Sequence, residues 1–288
     1  MEEKSVVTMV VTDLDGTLLN SHKKVTPATR QMMKELKNRG ILFGIASGRP
    51  VESGKILMHD WGLESDISFL IGMNGGTLYD VRQDTTQSWY LMDGETILDI
   101  IGHFKDLPVI FQAMVGNHRY TSKSTEETRA HARLYGEVEH ETDLASWLPG
   151  RKVNKLIIMM EPETMEAVRE RAAAFSDPAY TSMQTDPRLY EYMDPHINKG
   201  FGVKKACEHF GISLDHVVAF GDAENDKAML EAVGTGVCMA NGDPRTKAAA
   251  DVVSPYSNDE DAAAIYVMET VLPANEARLE RNANAKVG

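Results

Sequence analysis

The first apolar run, Thr8-Met9-Val10-Val11-Thr12, is nearly continuous and rich in β-branched residues. That pattern suits a strand buried on both faces of a parallel sheet. It stops at Asp13-Leu14-Asp15-Gly16-Thr17-Leu18-Leu19, with two carboxylates one residue apart. Downstream, Thr26-Pro27 supplies an N-cap and a first-turn proline, and Gly40 a stop, which predicts a helix over 27–39. Ile41–Ala46 reads as a second buried strand, ending at Ser47-Gly48-Arg49-Pro50. A helix from Pro50 to about Asp60, a short strand Phe69–Met73 and a turn at Asn74-Gly75-Gly76 follow. Strands alternating with helices through short loops predict an α/β fold with a doubly wound parallel sheet.

From Thr77 to about Met193 the pattern changes. Short strand-like pieces (Thr77–Tyr79, Ser88–Leu91, Val109–Met114, Val153–Met160, Tyr190–Met193) interleave with helical stretches near 94–105, 125–135 and 163–175. Prolines at 108, 149, 162, 178 and 187 punctuate it. The parallel pattern then resumes with a helix over 199–210 closed by Gly211 and a strand Val217–Phe220. Gly221-Asp222-Ala223-Glu224-Asn225-Asp226 opens a helix that Gly234 ends, and Gly236–Met239 forms a further strand. Asp243-Pro244 caps another helix, and beyond Pro273 a terminal helix or frayed tail is expected. The expected plan is a discontinuous core, residues 1–82 and 194–288, carrying an inserted α+β domain over 83–193.

At 288 residues the chain is long for a single core, which agrees with two domains. A formal net charge of −13 argues against nucleic acid or an anionic membrane surface as partner. Cys207 and Cys238 are the only cysteines and have no ligand spacing, so a reducing cytoplasm is expected. Met1-Glu2-Glu3-Lys4 has no signal-peptide character, and no apolar run approaches the roughly 18 residues of a membrane span. A monomer or small homo-oligomer is expected.

Four separated stretches share one position, the carboxyl end of a predicted strand or the helix start beside it. They are Asp13/Asp15, Ser47-Gly48, Lys199 and Asp222/Asn225/Asp226. With the first strand central, they converge at a topological switch point. Alone, each has a bland reading: Asp-x-Asp-Gly as a turn, Asp222–Asp226 as helix N-terminal acids. Together they supply carboxylates, a hydroxyl, backbone N–H groups and one ammonium, a set that fits a divalent metal and a phosphate monoester.

In this order the motifs resemble those of the haloacid dehalogenase superfamily, specifically its Cof-type sugar-phosphatase group with a C2-type cap. Asp13–Leu19 is similar to its first motif, Ser47-Gly48-Arg49 to its second, Lys199-Gly200 to its third and Gly221–Asp226 to its fourth; Asn74-Gly75 matches the turn before the cap. The resemblance implies a Rossmann-like core with the insert as cap, and a phosphatase acting on small phosphorylated metabolites, sugar phosphates foremost. Asp13 would be the nucleophile, forming an aspartyl-phosphate, and Asp15 the general acid/base. Mg2+ would be held by Asp13, the Asp15 carbonyl and Asp222. Leu14, Ser47, Gly48, Lys199 and Asn225 would bind phosphate, with Asp226 orienting Lys199 or a metal-bound water. A phosphomutase of the same fold and a non-catalytic phospho-ligand-binding protein are the rivals. Substrate choice would lie with the cap, where Asn117–Tyr120 or Lys155 could line the pocket. Asn241-Gly242-Asp243-Pro244 and Asp259–Ala262 depart from the family pattern and are expected to lie away from the chemistry.

Overall fold

The computed structural model describes residues 6–285 of the chain. They divide into two compact units: one runs to Gly48 and adds Leu57–Gln87 and everything from Asn198, and the other comprises Arg49–Ile56 and Ser88–Ile197.

The first unit is built on an eight-stranded sheet. Its order is Val252–Val253, Thr235–Cys238, Val217–Gly221, Met9–Asp13, Leu42–Ala46, Phe69–Gly72, Thr77–Asp80 and Thr85–Ser88. The first six run parallel, and Phe69–Gly72 pairs antiparallel with Thr77–Asp80. Met9–Asp13 is therefore central, with Val11 opposite Gly44 on one side and Ala219 on the other. All five of its residues are buried, as its largely apolar character leads one to expect. The helix Pro27–Asn38 is capped by the Thr26 side chain, which accepts from the Thr29 N–H, and it buries Met32, Met33 and Leu36. The helix Lys199–Phe210 is capped by Asn198 and closed by Gly211 in the left-handed region. Near the other end of the chain, the Asn275 side chain both donates to and accepts from the Val7 backbone, at 2.7 and 2.9 Å. Pro273 follows the π-helical turn Val267–Val271 within one continuous helical run from Ala262 to Ala285.

The second unit holds a six-stranded sheet ordered Thr181–Asp186, Leu189–Met193, Lys155–Met159, Ile110–Val115, His118–Thr121 and Val138–Glu141. All its pairs are antiparallel except the last. Ile97, Ile100 and Phe104 from one helix and Val168 from another form a core with Phe111, Leu156, Ile158 and Tyr192 of the sheet. Strand alternation sends Gln112, Arg119, Lys155 and Glu191 to the opposite face, where they too are buried. Arg119 pairs with Glu137 and donates to Gln112, and Lys155 pairs with Glu191 at 2.8 Å. In the same unit the Arg49 guanidinium lies 4.6 Å from the Tyr135 ring centroid.

The structure departs from the sequence pattern in several places. Thr77–Asp80, where the sequence pattern changes, pairs into the eight-stranded sheet. The strand expected at Ser88–Leu91 lies at Thr85–Ser88, whose residues are all exposed and so carry no apolar signal. Asn154 divides the expected Val153–Met160 strand in two, and its side chain accepts from the Gly116 N–H. Strands at 118–121, 138–141 and 181–186 were hidden because their sequences are predominantly polar. Among the described residues, no helix is long and apolar enough to cross a membrane.

Gly44 tests the packing of the central strands. A Cβ there would lie 2.2 Å from the Phe69 ring, a contact that only a shift of that buried ring could relieve. Gly44→Ala is expected to lower stability by about 1–3 kcal/mol, the usual cost of overpacking. Denaturant titration checks it, and a midpoint equal to the parent's would refute the packing argument.

Candidate active site

Asp13 ends the central strand, and its side chain is almost wholly buried. Lys199, the first residue of its helix, reaches the same point. Its Nζ donates to Asp13 Oδ1 and to Asp226 Oδ1, both at 2.5 Å. Asp226 Oδ2 accepts the backbone N–H groups of Asp222 and Ala223, each at 2.9 Å. Asp226 thus shapes the turn that presents Asp222 and holds the lysine at the same time. Asp222 Oδ1 accepts the Thr17 hydroxyl at 2.6 Å. Gly16 makes this approach possible: its φ is +86°, and a Cβ would come within 2.5 Å of Asp222 Oδ2.

The other expected residues are placed as follows. Asp15 turns its carboxylate toward Lys23, whose Nζ is 2.8 Å from Asp15 Oδ1. Leu14 is buried, and its carbonyl accepts the Leu19 N–H. Ser47 is bound through its backbone to Ile71 and Asn74, and Gly48 packs against the Asn74 side chain. Asn225 Nδ2 donates to Asn74 Oδ1 at 3.4 Å, so Gly48, Asn74 and Asn225 form a second group. Asp13, Asp222, Asp226 and Lys199 come together; the Asp15 carboxylate stands outside that cluster.

One oxygen from each of Asp13, Asp222 and Asp226 lies within 4.8 Å of the others. Two of the three carboxylates share the one ammonium and Asp222 adds a third negative group, an arrangement short of positive charge. Burial pushes Asp13 up to about 8; Lys199 opposes that rise, and Asp226 and Asp222 add to it. Burial likewise raises Asp222 to about 6, against the Thr17 hydrogen bond. For Lys199, burial favours the neutral amine, but Asp13 and Asp226 outweigh it and hold the ammonium above its ordinary range. A divalent cation would supply the missing charge, and an all-oxygen donor set suits Mg2+. Asp226 is the poorest ligand of the three, since its oxygens already accept three hydrogen bonds.

The segment expected to lie away from the chemistry is part of the site. Asn241 Nδ2 donates to the Gly16 carbonyl at 2.8 Å, and the Asp243 N–H donates to the Asp222 carbonyl at 2.9 Å. Asn241 Oδ1 accepts from the Asn258 N–H at 3.0 Å. The signal available in the sequence was position alone: Asn241-Gly242 follows the carboxyl end of another parallel strand. Thr17, Lys23 and Asn74 also went unassigned, although Thr17 stands within the first motif.

Residues 10–267 match the haloacid dehalogenase-like hydrolases. The chain belongs to that family. It is 29% identical over 266 residues to a Streptococcus pyogenes protein provisionally named a phosphatase, covering 89% of this chain and 96% of that one. It is 25% identical over 272 residues to Bacillus subtilis YitU, a 5-amino-6-(5-phospho-D-ribitylamino)uracil phosphatase, covering 91% and 96%. A haloacid dehalogenase-like hydrolase from Bacteroides thetaiotaomicron has the same fold, with a TM-score of 0.80 at 24% identity over 91% of this chain and 99% of its own.

Removing the Lys199 ammonium of this hydrolase leaves Asp13 and Asp226 facing each other without a counter-ion. Lys199→Met is expected to cost about 3–5 kcal/mol of stability, as for other broken buried pairs. Added Mg2+ should recover part of that loss by binding the folded state. Thermal unfolding with and without Mg2+ checks both statements, and an unchanged midpoint would contradict them.

Proposed function

We propose that this hydrolase is a Mg2+-dependent phosphatase of small phosphorylated metabolites, sugar phosphates foremost, working through an aspartyl-phosphate. The observation that carries the reading is the Lys199 ammonium bound to Asp13 beside Asp222, at the carboxyl end of the central strand. In this reading residues 1–82 and 194–288 form the catalytic core and 83–193 the cap. The ribityl phosphate in the name of YitU favours a phosphorylated polyol or sugar as substrate. The acidic chain with two buried thiols suits a reducing cytoplasm.

The reaction begins when Asp13 Oδ2 attacks the phosphorus, because Lys199 engages Oδ1. The ester P–O bond breaks, its electron pair leaves with the alkoxide, and Asp15 protonates that oxygen. Asp15 then takes a proton from water as the water attacks the phosphorus of the aspartyl-phosphate. The bond to Asp13 breaks, and inorganic phosphate departs with both carboxyl groups restored. Ser47, the backbone of Leu14 and Gly48, Lys199 and Asn225 bind the phosphoryl oxygens. Asp13, the Asp15 carbonyl and Asp222 would hold Mg2+, which would supply charge that screens the attacking carboxylate from a dianionic ester.

Asp13→Asn is expected to abolish phosphate release from a sugar-phosphate panel while leaving the fold intact, since Asp226 still pairs with Lys199. Turnover at the parental rate would remove Asp13 as nucleophile. Chelation by EDTA should silence the enzyme and Mg2+ restore it. Activity indifferent to EDTA would overturn the metal assignment.

A further inference from the structure

Lys23 has no place in the chemistry so far, yet its backbone and side chain are both unusual. Its φ is +57°, in the left-handed region that glycine or asparagine would occupy at less cost. The turn around it is over-determined. Asn20 Oδ1 accepts the N–H groups of His22 and Lys24 at 3.1 and 3.0 Å, and the Lys23 N–H donates to the Asn20 carbonyl at 2.8 Å. From outside, Asp259 Oδ1 accepts the Ser21 N–H at 2.6 Å, and Asn258 Nδ2 donates to the Leu19 carbonyl at 2.8 Å. Leu19 itself bridges back to Asp15. Five residues of turn are thereby fixed relative to one carboxylate.

Stability does not account for this arrangement. The Lys23–Asp15 pair is solvent-exposed, with 63% and 34% of the two side chains accessible, and such pairs contribute little to folding. Strained backbone that surrounding bonds hold in place points to function. We propose that Lys23 is a positioning residue for Asp15, holding one carboxyl oxygen so that the group is aimed at the leaving-group oxygen. The inference rests on the reading of Asp15 as general acid/base. No covalent step is added: Lys23 donates a hydrogen bond to Asp15 Oδ1, and the proton that reaches the alkoxide is the one Asp15 carries.

General-acid assistance matters when the leaving alkoxide is basic and matters little for a phenolate that departs unaided. The test compares kcat/KM, which covers steps up to leaving-group departure, for the sugar phosphate hydrolysed best and for p-nitrophenyl phosphate. Lys23→Gly, Lys23→Arg and Asp15→Asn are measured beside the parent, all with Mg2+. Lys23→Gly keeps the turn's preferred φ while removing the ammonium, so its thermal midpoint should not fall. It is expected to lose about tenfold on the sugar phosphate and less than about threefold on the aryl ester, a fraction of what a general acid contributes. Lys23→Arg should restore most of the loss. Equal losses on both substrates, or no loss, would overturn the role of Lys23 provided Asp15→Asn shows the leaving-group bias. If Asp15→Asn lacks that bias, the acid/base assignment falls first and the role of Lys23 falls with it.

Discussion

The site depends on one ammonium buried between two carboxylates. Lys199 sits at the start of a helix, where the macrodipole disfavours a cation, and it is almost wholly removed from water. Both penalties are tolerable only because Asp13 and Asp226 stand 2.5 Å away on two sides. The same contacts bind three separate parts of the chain: the end of the central strand, the helix that resumes the core, and the turn after Val217–Gly221. Asp226 extends the link by accepting two backbone N–H groups, so the position of Asp222 follows from that of the lysine.

What was legible in the sequence was whatever repeats as a pattern. Met9–Asp13, Leu42–Ala46 and Val217–Gly221 announced themselves by largely apolar runs, and each is followed by residues whose chemistry makes sense when the strand ends are brought together. That was enough to expect Met9–Asp13 at the centre of the sheet and Asp13, Lys199 and Asp222 near one another. The strands His118–Thr121 and Val138–Glu141 gave no such signal. Their sheet buries Arg119 and Gln112 through hydrogen bonds and ion pairs, so part of its second face is polar although inaccessible. Periodicity reads hydrophobicity, and here burial and hydrophobicity part company.

Asn241 shows a different limit. Its amide reaches the carbonyl of Gly16, 225 positions earlier, and nothing local to Asn241-Gly242-Asp243-Pro244 encodes that partner. Lys23 is similar: a left-handed lysine has no signature, because glycine and asparagine are the residues that advertise such a turn. Both supply second-order support to the Asp13–Gly16 loop, and support of that kind is specified by tertiary geometry more than by residue type.

The charge of the whole molecule bears on how the site must work. A chain with a formal net charge of −13 repels a phosphate dianion at long range. Within the site, the one buried ammonium is already shared by two carboxylates, and Asp222 adds a third negative group. Attack by Asp13 on an anionic ester would therefore bring like charges together in a poorly screened environment, where their repulsion is strongest. Screening by salt acts weakly on such buried groups. Positive charge has to be brought in at atomic range, and the donor atoms arranged to receive it are hard oxygens only. The surplus of carboxylate over ammonium is costly as long as it stands alone, and a small divalent ion bound there would offset it.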